Sequence, residues 1–281
     1  MTQADTDRQR QTAQELWLSR ADAWDKWADQ LRQMAERMNQ PLLQAAELAP
    51  GLEVLDLASG IGQPALSIAA AVAPGGRVVA SDVVGEMLDG ARRRAEQDGL
   101  DNISFEVVDM EAMPFPAGSF DRVTCRFGLM FTPEPALALA EALRVLRPDG
   151  LAAFMVWGPE EDVTMFQVIN QTVRACLGES PHDQHEFTPF RLGQPGHLEG
   201  LFKTAGFGRA EEREIRFQPK IDAGVKFWQA NLEMSLGQRY QALSEAKKGE
   251  LDRALVEAFA PYIRDGRYHL QSHARVGIGR P

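Results

Sequence analysis

Apolar positions in the first part of the chain fall on a helical period. Trp17, Trp24, Trp27, Leu31, Met34 and Met38 recur at that spacing, which predicts a helix over 11–38, with a second short helix over 41–48. From residue 53 the pattern changes. Short apolar runs predict strands at 53–57, 77–81, 103–108, 120–125 and 151–157, and amphipathic stretches between them predict helices at 64–72, 86–97 and 135–146. Gly99 ends the second of these helices, and Pro148-Asp149-Gly150 reads as a turn. Repeated strand–helix units imply a parallel sheet covered on both faces. The second half is less regular. It predicts a helix over 162–177, a polar and aromatic loop over 179–195 with His182 and His185, and a helix over 196–205. An alternating strand follows at 211–217, then two amphipathic helices within 220–262, and a last strand at 274–278.

One of these units carries candidate chemistry. Val54-Leu55-Asp56-Leu57-Ala58-Ser59-Gly60-Ile61-Gly62-Gln63-Pro64 reads as a buried strand, a carboxylate near its end, a tight loop and a helix start. Glycines at 60 and 62 let the backbone approach a ligand closely. Pro64 suits a first helical turn, where no amide hydrogen is needed, and the helix start offers free N–H groups to an anion. Asp56 discriminates among ligands, because a carboxylate here repels a pyrophosphate and attracts an ammonium or a sulfonium. S-adenosylmethionine carries both cations and one carboxylate.

Composition narrows the partners. The chain has 281 residues, 44% hydrophobic and 25% charged, with a net charge of -10. That balance disfavours a nucleic-acid substrate, since phosphate binding needs clustered Lys and Arg. Arg92-Arg93-Arg94 is the densest basic run and reads as a solvated helix face. Cys125 and Cys176 form no metal or redox spacing, so no metal is expected and a reducing cytoplasm is the simplest compartment. The amino end lacks an apolar signal region, and no run reaches the ~20 apolar residues that span a bilayer, so no integral membrane segment is expected.

The loop and the strand order resemble the class I S-adenosylmethionine-dependent methyltransferases. More narrowly, the phrases Phe115-Pro116 with Phe120-Asp121, the run Arg144-Val145-Leu146-Arg147-Pro148-Asp149-Gly150 and the tryptophan helix resemble the ubiquinone/menaquinone-biosynthesis type of small-molecule methyltransferase. The chain departs from that type at Ala58-Ser59, where many relatives have Gly-Cys, and at Asp149. The resemblance implies an α/β Rossmann-like fold with a seven-stranded, mostly parallel sheet whose last strand lies antiparallel beside the fifth. Residues 1–49 would form a helical cap, 50–219 with 270–281 the core, and 220–269 a helical lid inserted before the last strand.

Further site residues follow the same series. Asp82 ends the second strand, where a carboxylate accepts hydrogen bonds from a ribose diol, or else caps a helix. Met87 falls where an apolar side chain covers an adenine face, or packs in the core. The resemblance implies that Asp109 meets the adenine amino group and that the backbone of Met110 meets a ring nitrogen. With Asp56, Ala58, Ser59, Gly60 and Gly62 these form the expected cofactor site. Arg126 ends the fourth strand beside the expected methyl-transfer position, to meet the cofactor carboxylate or an acceptor oxygen, or to form a salt bridge. Cys125-Arg126-Phe127-Gly128 stands where amine and base methyltransferases often carry Asn-Pro-Pro-aromatic, which favours a small-molecule acceptor. Trp24 is a candidate to close over the cofactor. Phe127, Leu129, Met130, Phe131, Phe227 and Trp228 are expected to line an apolar acceptor pocket. No catalytic base is assigned; His182 and His185 are the candidates. The expected activity is methyl transfer to oxygen or carbon of a small, largely apolar metabolite, with S-adenosylhomocysteine as product. The competing readings are an NAD(P)-dependent oxidoreductase, against which Asp56 and Asp109 argue, and a binding module that has lost turnover.

Overall fold

A computed structural model describes residues 3–179 and 187–281. The chain runs α1 (Gln3–Leu18), α2 (Ala21–Ala45), β1 (Glu53–Leu57), α3 (Ala65–Val72), β2 (Arg77–Asp82), α4 (Gly85–Gln97), β3 (Ile103–Val107), β4 (Phe120–Arg126), α5 (Pro135–Val145) and β5 (Leu146–Trp157). It continues through α6 (Thr164–Leu177), α7 (His197–Thr204), β6 (Arg209–Phe217), β7 (Lys220–Asp222), α8 (Trp228–Leu236), α9 (Gln238–Ala242) and α10 (Glu245–Phe259). It ends with β8 (Ile263–Arg264), β9 (Arg267–His269) and β10 (Ser272–Arg280).

Seven strands form one sheet in the order β3-β2-β1-β4-β5-β10-β6. The first five are parallel, and β10 runs antiparallel between β5 and β6, as expected. β1 lies between β2 and β4, so the strand order reverses there and opens a crevice at the carboxyl edge. β1, β4 and β5 carry the apolar runs seen in the sequence because both of their faces are covered. One face holds Leu57, Val123 and Phe154 against α5 and α7 residues such as Leu139 and Phe202. The other holds Ala153, Met155 and Val276 against Leu42, Ala45 and Ala46 of α2.

The amino-terminal helices differ from the sequence expectation. The helix expected over 11–38 breaks at Ser19, whose hydroxyl donates to the Leu16 carbonyl at 2.7 Å, while Arg20 is buried just beyond. The expected gap before residue 41 is absent, and Pro41 sits inside α2. Burial of Leu42, Ala45 and Ala46 on the sheet holds that helix together across the proline, an instance of tertiary packing overriding local preference. Pro64 stands at the cap just before α3 rather than within it. Residues 148–150, expected as a turn, lie in β5, whose register against β4 shifts between Phe120 and Arg122.

The segment 220–269, expected as a helical lid, holds α8, α9 and α10 together with β7, β8 and β9, which pair as a separate antiparallel sheet in the order β7-β9-β8. It forms its own core with α6. Trp228, Leu232, Leu251, Leu255, Phe259 and Tyr268 pack on Val168, Ile169 and Val173. Trp228 is 1% exposed, its ring lies parallel to Phe259 at 5.5 Å, and its Nε1 donates to Asp252 at 3.0 Å. The insertion meets the cap where Lys26 Nζ and Trp27 Nε1 both donate to Glu233, at 2.6 and 3.0 Å.

Candidate functional site

The glycine loop leaves β1 in a conformation that few residues adopt. Ala58, Gly60 and Gly62 have φ of 51°, 53° and 106°. At Ala58 this is the left-handed region that side chains disfavour by roughly 1–2 kcal/mol. The two glycines have different tasks. A Cβ on Gly62 would come within 2.9 Å of Leu66 Cδ1, so this glycine lets the loop pack on α3. A Cβ on Gly60 would meet nothing within 4 Å, so this glycine faces open space, where a ligand can approach the backbone.

Asp56 is fully buried in β1. Thr124 Oγ1 donates to its Oδ1 at 2.6 Å, and the Ser59 hydroxyl donates to its Oδ2 at 2.7 Å. Burial pushes its pKa up to about 6, against these two hydrogen bonds and the positive charge of Arg126. Ser59 is thereby turned inward to brace the loop. Asp82 ties the neighbouring strand end to the same loop: Gly60 N–H donates to its Oδ2 at 2.9 Å and Val84 N–H to its Oδ1 at 3.0 Å. Burial raises its pKa, opposed by these backbone amides. The diol and cap readings of Asp82 are therefore compatible, since two amides occupy about half of the lone pairs of a carboxylate.

Asp109 accepts the N–H of Glu111 at 2.8 Å and keeps a side chain 37% exposed. Met110 is buried in the core, and Met87 is buried under the cap with Ala21, Ala28, Ile61 and Val84. Trp17 and Trp24 pack on that same cluster, so the cap lies directly over the glycine loop. Trp24 Nε1 is buried without a hydrogen-bond partner. A residue that sequence reasoning missed fastens the cap: Arg10 of α1 donates to buried Glu111 from Nε at 2.8 Å and lies 3.5 Å from Asp109 Oδ2. Burial alone would lower the Arg10 pKa; the hydrogen bond and charge of Glu111, with Asp109, raise it. Nothing in the local sequence links residue 10 to residue 111.

Arg126 lies on the same sheet face as Thr124, and its buried Nε has no hydrogen-bond partner among the described residues. Burial lowers its pKa to about 10, against the attraction of Asp56 and Glu36. Phe127 follows with φ of 58° and stacks on Trp157 at 4.0 Å with the rings 6° from parallel. Trp157 meets Phe166 edge-on at 5.1 Å, and Phe166 meets Phe190 at 5.5 Å. A side chain on Gly128 would overlap Ala58, so this turn packs against the glycine loop.

The expected pocket lining is thus redistributed. Phe127 and Phe131 are partly buried near the site, Phe131 against Trp17 at 4.9 Å. Leu129 and Met130 are in the main core, and Phe227 and Trp228 are in the core of the insertion. Trp157 and Phe166, absent from the expectation, extend the aromatic wall instead. His182 and His185 lie outside the described residues. Among the described residues no three His, Cys, Asp or Glu side chains gather as a metal site, and no helix is long and apolar enough to cross a membrane. A cleft of about 790 Å³ opens between α2 and α3, lined by Glu36, Leu43, Leu66 and Ser67. It lies on the flank of the molecule, and the convergence of Gly60, Asp82, Asp109 and Arg126 is the better guide to the chemistry.

Comparison with known proteins agrees with this geometry. Residues 54–150 match the family model described as a methyltransferase domain. The chain is 30% identical over 243 residues to an uncharacterised protein of Mycobacterium tuberculosis, covering 83% of this chain and 85% of the relative. It is 31% identical over 170 residues to the ubiquinone/menaquinone biosynthesis C-methyltransferase UbiE of Rhizobium johnstonii, covering 57% of this chain and 66% of the relative. Its fold is similar to that of phosphoethanolamine N-methyltransferase 2 of Haemonchus contortus in complex with S-adenosyl-L-methionine, with a TM-score of 0.56 at 18% identity over 87% of this chain and 52% of that one. A strand order of this kind, a glycine loop flanked by strand-end carboxylates and these relatives identify the chain as a member of the class I S-adenosylmethionine-dependent methyltransferases, similar within them to the ubiquinone/menaquinone-biosynthesis enzymes.

Proposed function

We propose that the protein transfers the methyl group of S-adenosylmethionine to an oxygen or carbon atom of a small, largely apolar molecule and releases S-adenosylhomocysteine. The observation that carries this reading is the aromatic wall beside Arg126, in which Phe127 stacks on Trp157 and Phe166 closes edge-on. Flat apolar walls with one charged group suit a ring-bearing ligand oriented by a polar substituent. The C-methyltransferase relative favours carbon over oxygen. The net charge of -10 favours a partner other than nucleic acid.

When bound, the donor supplies a methyl group already activated on a sulfonium. The chain holds and shields it. Gly60 leaves its backbone open to the ligand, Asp82 offers its remaining lone pairs to a diol, and Asp109 offers an exposed carboxylate to an exocyclic amine. Met110 and Met87 present apolar bulk near the base. The cap, fastened by Arg10 and Glu111, keeps water from the reacting atoms.

The test is a single-turnover assay with S-adenosylmethionine labelled in the methyl group, run against a panel of phenols, quinols and amines and a metabolite extract. Label in an oxygen- or carbon-methylated apolar product is expected. Label confined to amines would overturn the acceptor assignment.

A further inference from the structure

The aromatic wall has a polar contact at its side. Trp157, at the end of β5, meets Phe166 of α6 edge-on, and a hydrogen bond joins the same two segments a short way along. Asn170 lies one turn after Phe166, on the same face of α6. Its Nδ2 donates at 2.6 Å to Oε1 of Glu160, in the segment that follows Trp157. An ionised carboxylate only accepts hydrogen bonds, so this contact fixes the amide, with Nδ2 turned to Glu160 and Oδ1 turned away from it. Asn170 is 7% exposed, and its Oδ1 is buried with no hydrogen-bond partner among the described residues.

A buried acceptor left unpaired is costly. A ligand that donates a hydrogen bond there removes the cost, and a ligand without a donor leaves it standing. The rings of Trp157 and Phe166 offer the flat apolar surface on which the proposed acceptor lies. For a ring methylated on oxygen or carbon, the donor that fits is a hydroxyl substituent. We infer that Asn170, oriented by Glu160, receives a hydroxyl group of the methyl acceptor and so selects hydroxylated rings over their ethers. This deepens the acceptor reading above and rests on it. Asn170 is a specificity-determining residue in this account, and Glu160 is a positioning residue that acts through it. A site that hydrogen-bonds a substrate hydroxyl rejects the analogue without it far more strongly than an apolar pocket rejects an added methyl.

The experiment is calorimetry on the full chain saturated with S-adenosylhomocysteine. The probes are 2-naphthol and its methyl ether, 2-methoxynaphthalene. Wild-type protein is expected to bind 2-naphthol about 10- to 100-fold more tightly than the more apolar ether. Asn170→Leu keeps the volume and removes the acceptor atom, so the two affinities should come within about threefold of each other. Glu160→Gln leaves Asn170 in place but lets its amide turn over, and should lower the preference by about threefold or more. It also carries the test if Asn170→Leu does not fold. A purely structural Asn170 would lower the melting temperature and leave the preference unchanged, and that result would overturn the inference. Equal affinity for the two probes in wild-type protein would overturn it as well. Wild-type protein that binds neither probe would overturn the acceptor reading itself, a separate failure.

Discussion

The carboxyl edge around the glycine loop and the insertion between β6 and β10 are both rich in aromatic and charged residues, and they use them in opposite ways. In the insertion, Trp228 is buried, stacked on Phe259 and hydrogen-bonded to Asp252, and Lys226 completes that carboxylate at 2.6 Å. At the edge, Ala58 and Phe127 hold positive φ, Gly60 faces open space, Asp56 is buried with a raised pKa, and Arg126 and Asn39 carry unmatched atoms. Strain and unmet polar groups persist only where the surrounding structure enforces them; several gather at this edge, and the insertion also holds examples in Asp265, with φ of 49°, and the buried Nη1 of Arg239. Closed aromatic packing such as that of Trp228 on Phe259 marks scaffold. The aromatic residues of the insertion therefore stabilise the insertion, and those of the edge shape the site.

Trp228→Ala tests the scaffold side and should have the largest effect. Truncation leaves a cavity among Phe227, Phe259 and Tyr268 and should cost about 3–5 kcal/mol of stability. Affinity for S-adenosylhomocysteine, measured below the lowered melting temperature, should stay at the wild-type value. A selective loss of affinity or turnover without a drop in melting temperature would return Trp228 to the site.

Gly60→Val tests the edge from the other direction. A branched side chain enters the open space and must adopt φ of 53°, so affinity should fall by roughly a hundredfold or more, about 2.7 kcal/mol. Near-normal affinity in a folded variant would show that the open space serves no ligand.

Asp82→Ala separates the two uses of one carboxylate. Loss of a diol acceptor should weaken S-adenosylhomocysteine about 10- to 100-fold, roughly 1.5–3 kcal/mol. Because Gly60 and Val84 also lose their acceptor, a modest fall in melting temperature should accompany it. A fall in melting temperature alone would leave Asp82 with only its bracing role.

The smallest effect is a titration. With its pKa raised to about 6 by burial, Asp56 contributes stability that is full below its ordinary value of about 3.9 and lost as pH rises through 6. Binding has the opposite sign, since the ionised form attracts the cations of the donor. Affinity should drop about tenfold as pH falls from 7 to 5, and Asp56→Asn should flatten the profile. An unchanged profile in Asp56→Asn would assign the pH dependence to another group.

Much of the core was legible because its signals are local. The run 54–64 places a strand, a loop and a helix start within eleven residues, and each glycine or proline there has a backbone reason that needs no distant partner. The strand–helix alternation likewise announced a parallel sheet, and the family resemblance added the antiparallel strand beside the fifth. The insertion was less legible. Strands of two or three residues such as β8 and β9 carry no periodicity, and a helix with Trp228 and Phe259 on one face looks the same whether that face meets a ligand or another helix.

The sequence by itself determined the fold class, the place of the glycine loop and the order of the three strand-end carboxylates Asp56, Asp82 and Asp109, because these depend on residue type and short spacing. Only the tertiary structure decided which polar groups are satisfied. Thr124 and Ser59 hold Asp56, Arg10 reaches 101 residues along the chain to Glu111, α2 continues through Pro41 onto the sheet, and Nε of Arg126 has no hydrogen-bond partner among the described residues. Such outcomes come from desolvation and pairing between segments far apart in sequence, and those energies exist only once the chain has folded.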